Sequence, residues 1–589
     1  MAATLSPGPA KARINLLKTV VLDRWTARAF ILLTSLLGAT FGLLSPYFQK
    51  VFVDRILGHP VLHLELFPGL PPLALITGAF VTLMISQAFS FTALYLGTRE
   101  SILMQKKLGD QLYQHALSLR VDQLAGRTTG EIISIYATDV PGATTLLDQT
   151  LPTGAAILFP LILAPIALQL LYDIPAWSTL IFTLVVIGIN TLLSKKQARY
   201  FFTFKQLAAE RTGLVSEWIQ NMRTLRILGW IEAFETIIRT KRVEETENRV
   251  AMVTNGQVMS SIASTVTFFM NLAAIATLVA WRKQAISPGD LLALLWILGV
   301  FLSRPFRQLP WFFTWALDSL SSMRRLQAFM DLGQPALQDP ETVSGRPDPQ
   351  DASVQVERLS LKIGEATLLR DISFEIASGE FVAIVGEVGS GKSLLLLSLL
   401  KETGASFSKY RVGGQSEPQF RSQFAFVPQE GFVMSASLFE NVAFDYAPSP
   451  RDRLRAQSAL NAAEFREHDL NAEIGERGVN LSGGQRQRVG LARATFFDRP
   501  IILMDDCLSA LDVDTERKLI QHLFFGEWKK KTRILVTHRL NVLSQVDRVL
   551  FLQDGMLAAC GSYEELMENS TAFKKFVSSV SHEKETLHG

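Results

Sequence analysis

Two cysteines, Cys507 and Cys560, are all that 589 residues contain. A pair that sparse, both in the more charged half, excludes a disulfide framework and implies a reducing compartment for that half. Charge is scarce too: Asp, Glu, Lys and Arg make up 19% against 48% apolar residues, low for a soluble chain of this size. The deficit is uneven, because charge thins across the first half and returns after about residue 340. Half of the chain is therefore expected to have lipid as its solvent. A net charge of +3 argues for no nucleic-acid partner. The opening MAATLSPGPAKAR lacks the apolar core of a signal peptide, so nothing is expected to be cleaved. The length is too great for one core, and two or more folding units are expected.

What is present is organised around Gly386-Glu387-Val388-Gly389-Ser390-Gly391-Lys392-Ser393. The apolar run Phe381–Val385 precedes it and Leu394–Leu400 follows, so it reads strand, loop, helix. In that context G-x-x-x-x-G-K-[ST] is a phosphate-binding loop. Glycines let backbone N–H groups turn inward around a polyphosphate, and the helix start adds its dipole. Lys392 is placed for the β- and γ-phosphates, and Ser393 offers its hydroxyl to Mg2+. The chain is expected to bind a nucleoside triphosphate.

Six apolar stretches are long enough to cross a bilayer: Ala27–Tyr47, Leu73–Leu96, Thr150–Tyr172, Ala176–Leu193, Val258–Trp281 and Leu291–Trp311. Prolines 152, 160 and 165 interrupt the third, and Pro305 and Pro310 the sixth. The connections 97–149 and 194–257 are long, helical in pattern and rich in Lys and Arg, whereas the others are short or sparsely charged. The positive-inside rule puts both long connections, and with them both termini, in the cytoplasm. Charges within the spans are nearly absent, which argues against a proton- or sodium-driven carrier. Gln327–Asp351, with four prolines, reads as a linker. The expected boundaries are an N-terminal cytoplasmic segment 1–20, a six-span domain 21–330, a linker 331–352 and a nucleotide domain 353–589.

From Val354 the pattern is α/β. Phe424–Gln429, FAFVPQ, is a strand ending in an amide. Leu481-Ser482-Gly483-Gly484-Gln485 opens a helix; Ile501–Asp506, IILMDD, is a strand ending in two carboxylates. Ser509–Asp512 follows, and Ile534–His538 is a strand ending in histidine. Each fragment alone has an ordinary structural reading, such as a helix cap. Together, in this order after the phosphate loop, they resemble the ATP-binding-cassette family, and LSGGQ separates that family from other phosphate-loop proteins. The six spans with long cytoplasmic extensions match the exporter-type membrane domain. Arg127–Ile133 and the stretch around Trp230 look like the two cytoplasmic turns that exporters lay against nucleotide domains. The motifs look most like the first cassette of the multidrug-resistance-associated subfamily and the degenerate subunit of bacterial heterodimeric exporters.

The fold implied is an α-helical membrane domain fused to an α/β nucleotide domain, a half-transporter in a bacterial inner membrane. The resemblance implies ATP and Mg2+ as ligands and head-to-tail pairing with a second half-transporter. Ser482, Gly483, Gly484 and Gln485 would then contact nucleotide held by the partner's phosphate loop. Asp505 would hold Mg2+ with Ser393; Gln429 would approach the metal and attacking water; His538 would contact the γ-phosphate; Asp512 would sit at the seam. Two departures stand out. Asp506 replaces the usual glutamate base and is one methylene shorter, so hydrolysis at this chain's own site is expected to be slow. Ile363 stands where exporters stack adenine on an aromatic ring. A heterodimeric exporter of apolar or amphipathic cargo is the leading reading; a homodimeric lipid or drug flippase and an ATP-gated channel or regulator are the alternatives. Phe268, Phe269, Phe301, Phe306, Trp311, Phe312 and Trp315 would suit apolar cargo, or simply face lipid.

Overall fold

The computed structural model describes residues 15–59, 68–124, 129–172, 176–281, 287–333, 351–364, 366–413, 420–467, 469–475 and 480–588. The chain divides into two compact units, Met1–His115 with Arg127–Leu332, and Ala116–Gly126 with Gly333–Gly589. The short segment joins the second unit through one main-chain and one side-chain bond: Val121 N–H donates to the Glu402 carbonyl at 3.0 Å, and Gly404 N–H to Asp122 Oδ2 at 3.1 Å.

The first unit is helical throughout its described residues. Helix α1 is Leu16–Leu22, α2 Trp25–Ile56, α3 Pro72–Ser118, α4 Gly130–Leu171, α5 Ala176–Leu228, α6 Ile231–Trp281 and α7 Pro288–Met330. Among the described residues α2, α3, α4 and α7 are long and apolar enough to cross a membrane by length and composition. The other two expected spans fall on α5 and α6, part of whose side chains lies outside the described residues. The prolines do not end these helices: Pro160 and Pro165 lie inside α4, and Pro310 inside α7. A π-helical turn, Ile297–Phe301, precedes Pro305 and another, Leu146–Thr150, precedes Pro152. Widening the turn re-partners carbonyls that a proline leaves without an N–H. Small residues let α2 and α3 approach closely, and Ser86 Oγ donates to the Gly38 carbonyl at 2.7 Å.

The spans carry more charge at their ends than their apolar stretches suggest. Arg28 in α2 pairs with Glu100 in α3 at 2.6 Å, and Lys50 in α2 with Asp290 in α7 at 2.6 Å. Asp54 accepts from Ser287 Oγ and from Gly289 N–H, both at 3.0 Å, so the end of α2 caps the start of α7. Lys50, Asp54 and Asp290 are all buried, which removes them from lipid and leaves each dependent on the others.

In the second unit a three-stranded antiparallel sheet runs β2 (Ala366–Ile376), β1 (Val354–Ile363), β4 (Lys409–Val412), and a six-stranded sheet runs in the order β11-β10-β3-β9-β8-β5. The large sheet comprises β3 (Phe381–Gly386), β5 (Phe424–Val427), β8 (Ile501–Asp505), β9 (Thr532–Val536), β10 (Arg548–Gln553) and β11 (Met556–Gly561). All neighbours in it are parallel except β11. Burial on both faces explains the unbroken apolar runs. Phe381, Ala383 and Val385 enter one core while Val382 and Ile384 enter the other. Register then fixes the chemistry. Ile384 lies beside Val536, Val536 beside Asp505, and Met504 beside Val427. The residues that follow these strands, Glu387, Asp506, His538 and Gln429, therefore emerge along one carboxyl edge.

Candidate nucleotide site

The phosphate loop wraps the start of the helix Lys392–Leu399. Gly389 and Gly391 have φ of 85° and 97°, and Gly391 caps the helix. A side chain at Gly386 would meet the Leu552 carbonyl at 2.2 Å, so backbone there packs on backbone. Lys392 is buried, and its Nζ donates to the carbonyls of Gly386 at 2.9 Å and Glu387 at 2.7 Å. Ser393 Oγ donates to Asp505 Oδ1 at 3.1 Å. The structure thus joins the expected metal-binding hydroxyl and carboxylate directly.

Burial dominates the electrostatics. It pulls the Lys392 ammonium below its usual range, against the opposing pull of Asp506 and Asp505. Asp505 is raised by burial, an effect the Ser393 hydrogen bond opposes and the Asp506 charge reinforces. Asp506 is raised by burial as well, while His538, Arg539 and Lys392 pull it down. These charges gather Asp505, Asp506, His538 and Lys392 into one electrostatic group. Asp506 has φ of 43°, a left-handed conformation that aspartate tolerates better than most side chains. Its N–H donates to the Val536 carbonyl at 2.9 Å.

These residues fit a triphosphate and Mg2+. Ser390 Oγ is buried without a hydrogen-bond partner and stands 2.7 Å from where a Gly386 side chain would begin. Ser393 and Asp505 offer the hard oxygens that Mg2+ takes, too few to hold it without a phosphate. In agreement, no group of three or more His, Cys, Asp or Glu suited to a metal occurs among the described residues. Glu387 and Val388 are exposed at the loop tip.

The signature residues lie elsewhere on the unit. Ser482 caps the helix Gly483–Phe497: its hydroxyl accepts from Gln485 N–H, while Gln485 Oε1 accepts from Ser482 N–H at 2.8 Å. A side chain at Gly484 would meet the Ala510 carbonyl at 2.9 Å, so the signature packs on the loop that follows Asp506. Asp512 caps the next helix, Val513–Leu519, through Thr515 N–H at 2.9 Å. Two residues that motif reading missed tie these loops together. Arg539 donates to the carbonyls of Leu508 and Ser509 and pairs with Glu516 at 2.8 Å. Gln487 bonds to the Gln429 carbonyl, Ser509 and Ala510. The helix start is rich in Gly, Gln and Arg, so nothing in the sequence sets Gln487 apart from its neighbours, and its burial alone does.

Ile363 is half-buried at the end of β1 (Val354–Ile363) and packs on the strand core. Of the turns expected in the cytoplasm, Arg127 and Thr128 lie outside the described residues, and Trp230, in the turn between α5 and α6, is 62% exposed. In the helical unit a cavity of about 370 Å³ lies among α2, α3, α4 and α7. Gln87, Gln149, Arg304 and Gln308 line it together with the rings of Phe301 and Trp315. Phe306 is instead buried, and Phe268, Phe269 and Trp311 are exposed.

Comparison with known proteins agrees with this geometry. Residues 29–306 match the model of the ABC transporter transmembrane region, and residues 369–509 that of the ABC transporter. "ABC transporter C family MRP4" of Zea mays is 28% identical over 566 residues, 92% of this chain and 35% of that protein. "ABC transporter C family member 6" of Arabidopsis thaliana is 27% identical over 587 residues, 96% of this chain and 38% of the relative. The chain thus spans little more than a third of the length of these curated relatives. A bacterial Atm1-family ABC exporter solved with ATP bound superposes with a TM-score of 0.77 at 20% identity, over 95% of this chain and 98% of the other. That likeness establishes the exporter fold. With membrane and nucleotide modules both matched over well more than half of its length, the chain belongs to the ABC transporter family.

Proposed function

We propose that the chain is one subunit of an ATP-driven exporter, pairing with a second half-transporter and hydrolysing ATP to move apolar or amphipathic cargo across a membrane. The carrying observation is the cluster of Lys392, Ser393 and Asp505, assembled on one strand edge of a unit whose signature helix starts at an exposed serine. In this reading the membrane domain is 21–330, the linker 331–352 and the nucleotide domain 353–589. The positive-inside asymmetry supports a multi-pass membrane protein with its nucleotide domain in the cytoplasm. The proposed location is a bacterial inner membrane; the solved exporter above is bacterial, whereas the curated relatives above are plant proteins.

Lys392 neutralises phosphate charge, and the loop N–H groups orient the chain of phosphates. Ser393 and Asp505 would hold Mg2+, which when bound neutralises charge developing on the phosphates. Gln429 and His538 orient the attacking water and the γ-phosphate. Asp506 is the general base, and its shorter reach makes this site slow, so the partner supplies the faster carboxylate. Ser482 to Gln485 then serve nucleotide bound by that partner. The cavity beside Arg304, with its aromatic and amide lining, falls in the size range of small-molecule sites and is the proposed cargo site.

Calorimetry of Mg-ATP binding and steady-state hydrolysis, on the full chain alone and with a candidate second subunit, test the reading. Binding that Lys392→Ala abolishes, with fast hydrolysis appearing only in the pair, is expected. Robust hydrolysis by the lone chain would replace the heterodimer with a homodimer, and absent ATP binding would remove the function altogether.

A further inference from the structure

One buried amide connects the loops on which this hydrolysis depends. Gln487 lies in the first turns of the signature helix and is 4% exposed. Its Nε2 donates to the Gln429 carbonyl at 3.3 Å and to Ser509 Oγ at 3.0 Å, while its Oε1 accepts from Ala510 N–H at 3.1 Å. A carbonyl can only accept and a backbone N–H can only donate, so these partners fix which end of the amide is which. Ser509 passes the connection on. Its Oγ donates to the Asp506 carbonyl at 2.9 Å, and its N–H reaches the same oxygen at 3.2 Å.

Two short chains of hydrogen bonds therefore leave one side chain. One ends on the main chain of Gln429, and the other on the peptide of Asp506. Asp506 gains from such support, because its left-handed backbone at φ 43°, though easier for aspartate than for most residues, still carries a cost and persists only when its surroundings fix it. The same Ala510 that Gln487 anchors is the residue against which Gly484 packs.

We propose that Gln487 is a positioning residue for ATP hydrolysis, holding the Gln429 loop and the Asp506 loop in one register against the signature helix. It touches neither nucleotide nor metal in this role. It sets where the water-orienting amide and the carboxylate stand relative to one another, and carries a shift of the signature helix to both loops at once. The proposal rests on the reading of the chain as an ATP hydrolase. A role confined to stability would make a different demand: variants would melt earlier, yet each folded molecule would turn over normally.

The test uses the full chain in lipid nanodiscs, alone or with a second subunit whose own catalytic carboxylate has been removed, so that the turnover measured is that of the site Asp506 serves. Gln487→Glu keeps the length and the acceptor but loses both donors; Gln487→Met keeps the length and loses every bond without burying a charge. The phosphate loop is untouched in both. The expected result is a KM for Mg-ATP within about twofold of wild type and a kcat lower by about 10-fold to 100-fold, the cost of misplacing catalytic groups. Backbone hydrogen exchange should quicken at 429–433 and 506–511 and stay unchanged in the helix 392–399. Normal kcat per folded molecule, or quickened exchange confined to the helix 483–497, would overturn the proposal. A wild-type chain that binds no ATP would instead remove the functional reading, while the exchange arm would still decide what Gln487 holds.

Discussion

Glycine opens both of the helices that matter here, for opposite reasons. At the start of Lys392–Leu399 the backbone demands it, since Gly389 and Gly391 sit at positive φ and the loop curls around its own Lys392. At the start of Gly483–Phe497 a neighbour demands it: Gly484 lies against the Ala510 carbonyl, and neither signature glycine has a positive φ. The first helix start is completed within the chain, with Lys392 and Asp505 buried beside it. The second is capped by its own Ser482 and Gln485, and Ser482 is exposed. One helix start is enclosed by buried side chains of its own chain; the other is capped by its own first turn and opens at the surface. This difference is the physical basis for expecting a second subunit.

The largest expected effect separates the two helix starts by function. In the assembled exporter, Ser482→Arg places a bulky cation where a close contact to the partner's nucleotide is needed, and steady-state ATPase should fall by about 100-fold or more, as for lost transition-state contacts. On the proposed asymmetric reading Asp506→Asn should leave most of that activity, because the site it serves would contribute little. Equal, severe losses from both would mean that the two sites are equivalent, as in a homodimer.

The glycines give a graded second test. Gly391→Ala forces a side chain into φ 97° and toward Leu369, and should cost about 1–2 kcal/mol from backbone strain alone, with weaker Mg-ATP binding by calorimetry. Gly484→Ala, pressing on the Ala510 carbonyl, should leave ATP binding by the lone chain intact but slow turnover of the pair. Gly483→Ala meets only the Ala510 side chain at 3.4 Å, an ordinary contact, and should fold normally. If Gly483→Ala and Gly391→Ala weakened binding by the lone chain equally, the contrast drawn above would fail.

The motif strings were legible because each is local: a strand, a loop and a helix start written in consecutive residues. Parallel register then aligned four of them along one sheet edge. What stayed hidden is what depends on long-range partners. The buried pair Lys50–Asp290 joins residues 240 apart, and each member sits just beyond an apolar stretch, where charge looks like an ordinary membrane boundary. Gln487 looked like one more polar residue in a charged helix start, and only burial exposed its role. The left-handed turn at Asp506 has no sequence signal either, since aspartate is equally at home in caps and turns. Ala116–Gly126, in turn, joins the second unit through a backbone bond of Val121 that any residue could make and through the Asp122 carboxylate, whose partner Gly404 is distant in sequence.

The smallest effect is thermodynamic. Burial raises the Asp505 and Asp506 carboxyls and lowers the Lys392 ammonium, so the fold favours the neutral form of all three. For a raised carboxylate the stabilising contribution is complete below its unfolded pKa and is lost as pH rises through its folded value. Above its folded pKa each of these aspartates is therefore ionised at a cost to the fold. Removing the charge should relieve part of that cost. Without nucleotide, Asp506→Asn should raise the melting temperature at pH 7, by something on the order of 2 °C for a domain of this size. The gain should shrink as pH falls through the folded Asp506 pKa, because wild type is then neutral as well. Ser482 provides the contrast, since its role without nucleotide is that of a helix cap. Ser482→Ala should lower stability by about 1 kcal/mol at every pH from 5 to 8, as lost caps do. Differential scanning calorimetry of both variants across that range checks the pair. A destabilised Asp506→Asn at neutral pH would mean that His538, Arg539 and Lys392 outweigh burial. The carboxylate would then be a stabilising partner of its cationic neighbours, and the phosphate site would hold no strain for Mg-ATP to relieve.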